Sequence, residues 1–168
     1  VELNMNRLVT MALFAYNSEK YIAEAIQGVL SQDYTPLEII ISDDASTDAT
    51  FRIIENYANQ YVGLHKIIVR RNDRNLGLAE HINKVWSLIS GEWLVVAAGD
   101  DISISNRVSE VMSVVEKNSD IKMTTSYAKV INEDGEEVGY NLSGDKRVDS
   151  AQGSISKWGI REHIKDKS

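Results

Sequence analysis

The sequence contains no cysteine, a single proline and only three histidines in 168 residues. Without cysteine, a disulfide framework, a thiolate metal site and a cysteine nucleophile are all excluded. His65, His81 and His163 are too scattered to match the ligand spacing of zinc sites. No apolar run approaches the roughly 20 residues of a membrane-spanning helix, and the N-terminus lacks the apolar core of a signal peptide. We therefore expect a cytoplasmic protein without a transmembrane segment.

The sequence is also short of basic residues. It has 18 Lys plus Arg against 25 Asp plus Glu, which gives a formal net charge of −7. Such a balance argues against general affinity for nucleic acid, because that affinity needs a basic face. The length suits one domain with a sizeable core. We expect a single domain over residues 1–168.

Apolar runs of strand length alternate along the chain with segments of helical periodicity. This alternation predicts an α/β fold with a mainly parallel sheet and helices on both faces. The predicted strands cover residues 8–15, 37–42, 65–69 and 93–98, and the predicted helices cover about 18–30, 49–60, 78–89 and 106–117. Strand-like segments from Ile121 to Ile131 and from Glu136 to Tyr140 flank the turn signal Asn132-Glu133-Asp134-Gly135, which predicts a β-hairpin in the C-terminal part.

Two side-chain expectations accompany these elements. On the third helix we expect Leu78 and Trp86 to face inward with Val85, because they share its apolar stripe. We expect Trp93 and Trp158 to be core residues as well.

Two pairs of adjacent carboxylates each follow a predicted buried strand. Asp100-Asp101 ends the apolar run Trp93–Ala98, and Asp43-Asp44 follows Leu37–Ser42. Adjacent carboxylates repel each other and are costly to desolvate, so a cation is expected beside them. Oxygen ligands favour Mg²⁺ or Mn²⁺, and these cations favour a phosphate-bearing substrate. The alternative is that Asp100 caps the following segment and Asp101 is solvated.

The glycine-rich phosphate-binding motifs of other α/β proteins are missing. Neither Gly-x-Gly-x-x-Gly nor Gly-x-x-x-x-Gly-Lys-Ser/Thr follows the first strand, where the turn reads Ala15-Tyr16-Asn17-Ser18-Glu19. A phosphate group would therefore be held through a metal ion at the carboxylate pairs.

Several motifs in this order resemble the family 2 glycosyltransferases, which have the GT-A fold. The resemblance covers residues 8–131 and rests on five pieces. They are Ala15-Tyr16-Asn17, Tyr21-Ile22 through Val29-Leu30-Ser31-Gln32-Asp33-Tyr34, Glu38 through Asp43-Asp44-Ala45-Ser46-Thr47-Asp48, Asn75-Leu76-Gly77 with Asn83, and Gly91-Glu92-Trp93 leading to Asp100-Asp101. Two positions depart from the usual pattern: Phe14 stands where the family commonly has proline, and Ala45 where it usually has glycine.

The resemblance implies a nucleobase site and a diphosphate site. Around the nucleobase it places the backbone of Ala15 and Tyr16, with Asn17, and it gives Asp44 a hydrogen bond from the base imide. A carboxylate is suited to this role because it only accepts, whereas the imide of uracil donates.

The remaining implied site residues are Gly77, Asp100 and Asp101. Gly77 would lie where the chain passes close to the nucleotide, Asp100 would reach the ribose hydroxyls, and Asp101 would ligate the metal that bridges the diphosphate. The implied reaction is attack of an acceptor hydroxyl on the anomeric carbon of a nucleotide-diphosphate sugar, with inversion, in polysaccharide biosynthesis. The implied partners are the sugar donor and a saccharide acceptor.

Simpler roles remain open for several of these residues. Asn17 could cap a helix, Asp43 could fix its own loop through backbone hydrogen bonds, and Asp48 could be a helix cap. Arg70, Arg71 and Arg74 could meet a diphosphate, although we expect them in a solvated loop.

No copy of the family's catalytic-base motif can be recognised. The base is expected on a carboxylate well after the metal site, and the acidic residues there are Asp145, Asp149, Glu162 and Asp166. We therefore expect the base outside this chain, which would be the nucleotide-sugar half of a longer enzyme that could associate peripherally with the inner face of the membrane. The alternative functions are a nucleotidyltransferase and a non-catalytic sugar- or partner-binding module.

Overall fold

A computed structural model describes residues 7–118, 120–132, 135–142 and 160–162. Strands and helices alternate up to the fourth helix and then give way to strands. The elements are β1 (Val9–Ala15), α1 (Ile22–Leu30), β2 (Leu37–Asp43), α2 (Thr50–Gln60), β3 (Lys66–Arg71), α3 (Leu78–Trp86), β4 (Trp93–Ala98), α4 (Arg107–Lys117), β5 (Thr124–Ile131), β6 (Glu137–Leu142) and β7 (Ile160–Glu162). None of the helices within the described ranges is long and apolar enough to cross a membrane.

The first four strands form a parallel sheet in the order β3-β2-β1-β4. The chain moves outward from β1 to β3 and then returns to the other side of β1 to form β4. The strand order therefore reverses at β1. In open α/β sheets, ligands bind at the carboxyl ends of the strands beside such a reversal.

Both faces of this sheet are covered. Ala12, Phe14 and Ile40 point to one face, where they pack with Val85 of α3 in a buried cluster. Strand alternation directs Met11, Leu13, Ile39 and Ile41 to the opposite face, and all four are fully buried. Helices α1 and α2, which contact β1 and β2 respectively as well as each other, cover that second face.

The chain divides after Ser109 into two compact units. The first unit carries the parallel sheet, and the second carries an antiparallel sheet in the order β6-β5-β7. In the turn between β5 and β6, Gly135 has a φ of 80° and its N–H donates to the carbonyl of Asn132 at 3.0 Å. The predicted fold class, a mainly parallel α/β sheet with a β-hairpin in the C-terminal part, is confirmed.

Two local predictions were wrong. Leu78 and Trp86 are 70% and 65% exposed, because α3 buries the face that carries His81 and Val85. Arg70 and Arg71 do not lie in a solvated loop but continue β3, where their backbone extends the pairing with β2. Trp158 lies outside the described residues.

Candidate functional site

The loops that carry the predicted site residues are joined at the carboxyl ends of the parallel strands. The N–H of Asp44 donates to the carbonyl of Ala15 at 2.9 Å, and the N–H of Asn72 donates to the carbonyl of Asp43 at 2.9 Å. On the other side of β1, the N–H of Gly99 donates to the carbonyl of Phe14 at 2.8 Å. These bonds bring the ends of four strands to one edge of the sheet.

Ala15, the last residue of β1, is buried, and Tyr16 after it is 46% exposed. Asn17 adopts a φ of 49°, a left-handed conformation that Asn tolerates better than most residues. Its N–H donates to Ser46 Oγ at 2.8 Å, and its Oδ1 accepts from the N–H of Thr47 at 2.8 Å. The side chain of Asn17 therefore does not cap α1; it fastens the loop after β1 to the loop after β2.

A second pair of contacts holds the same two loops. Asp48 accepts from the N–H of Glu19 at 3.1 Å and from the N–H of Thr50 at 2.9 Å. Glu19 in return accepts from the N–H of Ala49 at 2.9 Å. Asp48 thus satisfies an N–H in the first turn of α2, as the helix-cap interpretation predicts.

Asp43 and Asp44 have different surroundings although they are neighbours. Asp43 is fully buried, accepts from the N–H of Ser46 at 3.0 Å and pairs with Arg71 Nε at 3.2 Å. It also receives a very short hydrogen bond from the Ser46 hydroxyl. Asp43 therefore fixes its own loop, as its simpler interpretation holds.

The Asp44 carboxylate faces the loop that follows β3. Its Oδ1 accepts from Asn72 Nδ2 at 2.7 Å and from the N–H of Leu76 at 2.9 Å, and its Oδ2 accepts from the N–H of Gly77 at 2.9 Å. Burial raises the pKa of Asp44, but these three hydrogen bonds outweigh it and hold that pKa below its usual range. Asp44 is thus ionised at neutral pH and organises the 72–77 loop.

Gly77 connects this loop to α3. Its φ of 77° lies in the left-handed region, and a Cβ built there would meet no atom within 4 Å. The glycine is therefore needed for its backbone conformation and not for a close protein contact. Two predicted site residues, Asp44 and Gly77, are brought into direct contact.

Asp100 and Asp101 follow β4, so β1 lies between them and β2. No hydrogen bond to the side chain of either residue is found among the described residues. Partial desolvation of its exposed carboxyl and the negative charge of Asp100 raise the pKa of Asp101, against the opposing charge of Arg107. The guanidinium of Arg107 donates to Ser103 Oγ at 3.0 Å and to the carbonyl of Val96 at 2.8 Å.

This pair of carboxylates fits a divalent cation. Two adjacent oxygen donors with no protein hydrogen bond are a suitable part of a Mg²⁺ or Mn²⁺ site. In the described part of the chain, no group of three or more acidic or histidine side chains is arranged to hold a metal by itself. Asp100 and Asp101 fit a cation only if water and a bound phosphate would supply its remaining ligands.

Sequence reasoning missed two residues of this site. Asn72, buried after β3, bonds directly to Asp44, and His81, buried on α3, bonds to Ser42 just before the acidic pair. The helical period offered a signal for His81, because it lies four residues before the buried Val85. Of the residues considered for the catalytic base, Asp145, Asp149 and Asp166 lie outside the described residues, and Glu162 is the last residue of β7.

The solved structures that resemble this chain include two proteins with a bound nucleotide or nucleotide sugar. The S. aureus protein TarS, residues 1–349, in complex with UDP aligns with a TM-score of 0.58 and 23% identity over 76% of this chain and 43% of its own. The mannosyltransferase PcManGT from Pyrobaculum calidifontis, in complex with GDP-Man and Mn²⁺, aligns with a TM-score of 0.65 and 20% identity over 77% of this chain and 37% of its own. At these identities the alignments show the shared GT-A fold.

Sequence comparison identifies the family. EpsE of Bacillus subtilis, provisionally named a glycosyltransferase, is 34% identical over 133 residues, which are 79% of this chain and 47% of that protein. The chain thus spans less than half the length of this relative. The model of the family described as Glycosyl transferase family 2 matches residues 11–157. The chain belongs to glycosyl transferase family 2.

Proposed function

We propose that this chain is the nucleotide-sugar-binding part of a metal-dependent, inverting glycosyltransferase that uses a UDP-sugar. The observation that carries the proposal is the arrangement at the carboxyl edge of the parallel sheet. Asp44 and Gly77 stand in contact on one side of β1, and Asp100 and Asp101 follow β4 on the other side. Such an arrangement would hold the nucleobase and the diphosphate on either side of the point where the strand order reverses.

The occupied acceptor positions of Asp44 support UDP over GDP. A carboxylate has about four acceptor positions, and three of those on Asp44 are taken by Asn72, Leu76 and Gly77. One position, on Oδ2, is left. The imide of uracil offers a single donor and can use it. The equivalent edge of guanine offers two neighbouring donors and would leave one unpaired, which costs about 1–3 kcal/mol in a buried site.

Asp101, with Asp100 beside it, is proposed to hold a divalent cation. The raised pKa of Asp101 reflects partial desolvation and the charge of Asp100, and a cation would relieve that repulsion. When bound, Mn²⁺ or Mg²⁺ would supply positive charge against the diphosphate as it departs. The Mn²⁺ complex of PcManGT, which shares the fold, supports this assignment.

The protein's own residues then act by positioning. The loop backbone at Ala15 and Tyr16, together with Asn17, flanks the base, Asp44 accepts from it, and Asp100 accepts from the ribose hydroxyls. With the donor fixed, the oxygen of an acceptor hydroxyl bonds to the anomeric carbon as the bond from that carbon to the diphosphate oxygen breaks. The proton of the hydroxyl leaves to a general base, and attack opposite the leaving group inverts the configuration. The proposal assigns that base to none of the described residues.

The acceptor and the location are inferred at the level of the family. We propose a saccharide acceptor and a role in polysaccharide biosynthesis. We place the chain in the cytoplasm, with peripheral association of the full-length enzyme at the inner face of the membrane.

Calorimetric titration tests the donor and the metal together. UDP and GDP are each titrated into the 168-residue chain with and without Mn²⁺, and Mn²⁺ is titrated with and without UDP. We expect UDP and Mn²⁺ to strengthen each other's binding by the same factor, because linkage is reciprocal. We also expect UDP to bind at least about tenfold more tightly than GDP, equivalent to roughly 1.4 kcal/mol.

Two variants locate the cation. Asp101→Asn should remove most of the Mn²⁺-dependent gain in UDP affinity, about tenfold or more, whereas Asp120→Asn, at an exposed position of the second unit, should keep it. Binding of UDP that is indifferent to Mn²⁺ would instead identify a non-catalytic binding module. Equal affinity for UDP and GDP would refute the role given to Asp44.

A further inference from the structure

A continuous chain of buried and half-buried polar side chains crosses the sheet beneath the loop that Asp44 organises. His81 Nε2 on α3 lies 2.6 Å from Ser42 Oγ on β2, and Ser42 Oγ accepts from Arg70 on β3 at 2.6 Å. The other terminal nitrogen of Arg70 donates a very short hydrogen bond to Asn72 Oδ1. Asn72 Nδ2 donates to Asp44 at 2.7 Å. The chain therefore runs from a helix residue, through three intermediate side chains, to Asp44.

The directions of these hydrogen bonds determine the state of His81. Arg70 can only donate, so Ser42 Oγ accepts from it. The Ser42 hydroxyl hydrogen is then available to His81 Nε2, 2.6 Å away, and we assign this hydrogen bond with Ser42 as the donor. With this assignment His81 is neutral and its Nε2 is unprotonated. His81 thereby fixes the rotamer of Ser42, and Ser42 in turn holds one terminal nitrogen of the planar Arg70 guanidinium.

The other end of the chain has equally strict directions. Because Arg70 donates to Asn72 Oδ1, the Asn72 amide must present its Nδ2 to Asp44. A rotated Asn72 amide would place its oxygen against the Asp44 carboxylate, and two acceptors repel. The orientation of Asn72 therefore decides whether Asp44 Oδ1 is satisfied and held where Leu76 and Gly77 can also donate to the carboxylate.

We propose that His81 is a positioning residue for nucleobase recognition, which it supports through Ser42, Arg70 and Asn72 by fixing the Asp44 carboxylate and the Leu76–Gly77 backbone. This inference rests on the proposed function, since it takes Asp44 as the residue that binds the base. His81 itself is 3% exposed and lies under the sheet edge, so it acts through these neighbours and does not contact the nucleotide.

The surroundings of His81 agree with a neutral ring. Burial lowers the pKa of His81, Asp44 and Asp43 raise it, and Arg70 lowers it, with a net shift below the usual value. The Phe14 ring is an apolar neighbour, which lies edge-to-face with the imidazole at 5.1 Å between centroids. Protonation of His81 would set a second cation beside Arg70. It would also place an Nε2–H against Ser42 Oγ, so that the Ser42 hydroxyl would lose its acceptor.

Hydrogen exchange and ligand titration test the proposal with three variants. His81→Leu keeps an apolar side chain of similar bulk but removes the acceptor, whereas His81→Gln can restore a hydrogen bond to Ser42. Lys84→Ala, on the exposed face of α3, is the control. In ligand-free protein, exchange of the Leu76 and Gly77 amides is measured against the Ile53 amide, which bonds within α2. UDP and inorganic pyrophosphate are then titrated in Mn²⁺.

For His81→Leu we expect roughly tenfold faster exchange at Leu76 and Gly77, with Ile53 unchanged. That factor corresponds to about 1.4 kcal/mol, within the cost of leaving the Ser42 hydroxyl unpaired. UDP should bind about three- to tenfold more weakly, and pyrophosphate should stay within about twofold, because the network addresses the base. His81→Gln and Lys84→Ala should stay within about twofold of the original chain in both measurements.

The possible outcomes separate this inference from the proposed function. If the unmodified chain does not bind UDP, the proposed function fails, while exchange at Leu76 and Gly77 still tests the positioning. Unchanged exchange in His81→Leu, or equal losses for UDP and pyrophosphate, would overturn the role of His81. If His81→Leu does not fold, Ser42→Ala breaks the same chain by a smaller deletion and must show the same pattern for the inference to stand.

Discussion

Replacing Glu38 by Gln should destabilise the chain while leaving its shape intact. Glu38 is a carboxylate inside the parallel sheet, 1% exposed and away from the proposed site. Its Oε1 accepts from Thr10 Oγ1 and from the N–H of Ser90, both at 3.0 Å. Its Oε2 accepts from Lys66 Nζ at 2.6 Å and from Ser90 Oγ at 3.0 Å. Four donors therefore converge on one buried anion.

The expected loss in free energy of unfolding follows from the hydrogen bonds that the Gln amide cannot accept. The NH₂ group of Gln accepts no hydrogen bond, so the two donors that face one oxygen lose their acceptor. The side chain of Lys66 is 64% exposed and can return to water, and the Ser90 hydroxyl can rotate to accept from the new amide. The cost is then that of one hydrogen bond to a charged group and not of two, which is about 1.5–3 kcal/mol at pH 7.

The pH dependence has a definite sign. Burial raises the pKa of Glu38, but the hydrogen bonds from Lys66, Ser90 and Thr10 outweigh it and lower that pKa below the usual 4.5. A group with a depressed pKa in the folded state stabilises that state above its unfolded pKa, and the contribution is lost as the pH falls through the folded pKa. The difference between the original chain and Glu38→Gln should therefore be constant from pH 7 to about pH 5 and shrink at lower pH.

Urea unfolding followed by tryptophan fluorescence at several pH values measures this difference. Glu92→Gln is the matched control, because its 3.0 Å pair with Arg7 lies on the surface with Glu92 60% exposed. That substitution should change the free energy of unfolding by less than about 0.5 kcal/mol. The reasoning is refuted if Glu38→Gln costs no more than the control at pH 7, or if its cost persists undiminished at the lowest pH where the chain folds.

Three further substitutions test other parts of the structure. Asp44→Asn should weaken UDP binding at least about tenfold more than it weakens pyrophosphate binding. It should also speed hydrogen exchange at the Leu76 and Gly77 amides. Equal losses for both ligands would show that Asp44 acts only through general charge. Ala45→Gly should stabilise the chain by up to about 1 kcal/mol. Ala45 has a φ of 60°, and this left-handed conformation costs a residue with a Cβ about 1–2 kcal/mol, whereas the greater freedom of glycine in the unfolded chain costs roughly 0.5–1 kcal/mol. A lower melting temperature for Ala45→Gly would contradict this prediction. Gly28→Ala should destabilise the chain, because a Cβ at Gly28 would lie 2.7 Å from the Ser103 carbonyl oxygen. The overpacking cost of about 1–3 kcal/mol should exceed the gain of about 1 kcal/mol in helix propensity. Gly139→Ala, where a Cβ meets nothing within 4 Å, is its control, and equal melting temperatures for these two variants would refute the clash.

Ala45 also explains a departure from the family pattern. The family usually has glycine after the first acidic pair, and the chain here needs a left-handed residue at that point. Alanine meets the requirement at a conformational cost. The departure at Phe14 has a different character, because Phe14 is 7% exposed and packs against α3 through His81.

Local sequence patterns determined the elements and the edge of the sheet on which the site lies. Continuous apolar runs gave β1, β2 and β4 within one or two residues, and β4 was predicted with the bounds observed. The carboxylates that follow β2 and β4 had to lie at one edge, because parallel strands end at the same side of their sheet. These predictions hold because each depends on residues that are neighbours in the sequence.

Only the tertiary structure decided which of these side chains are buried and what they contact. The apolar stripe of α3 suggested that Trp86 is buried, but the helix is rotated so that His81 and Val85 face the sheet and Trp86 is 65% exposed. Glu38 is a charged residue in an otherwise mostly apolar strand, yet it is buried, and Thr10 of β1, Lys66 of β3 and Ser90 after α3 enclose it. The His81–Ser42 pair, 39 residues apart in the sequence, forms through packing of α3 on β2. Periodicity determines which residues share a face, whereas the rotation of that face against its neighbours depends on contacts between distant segments.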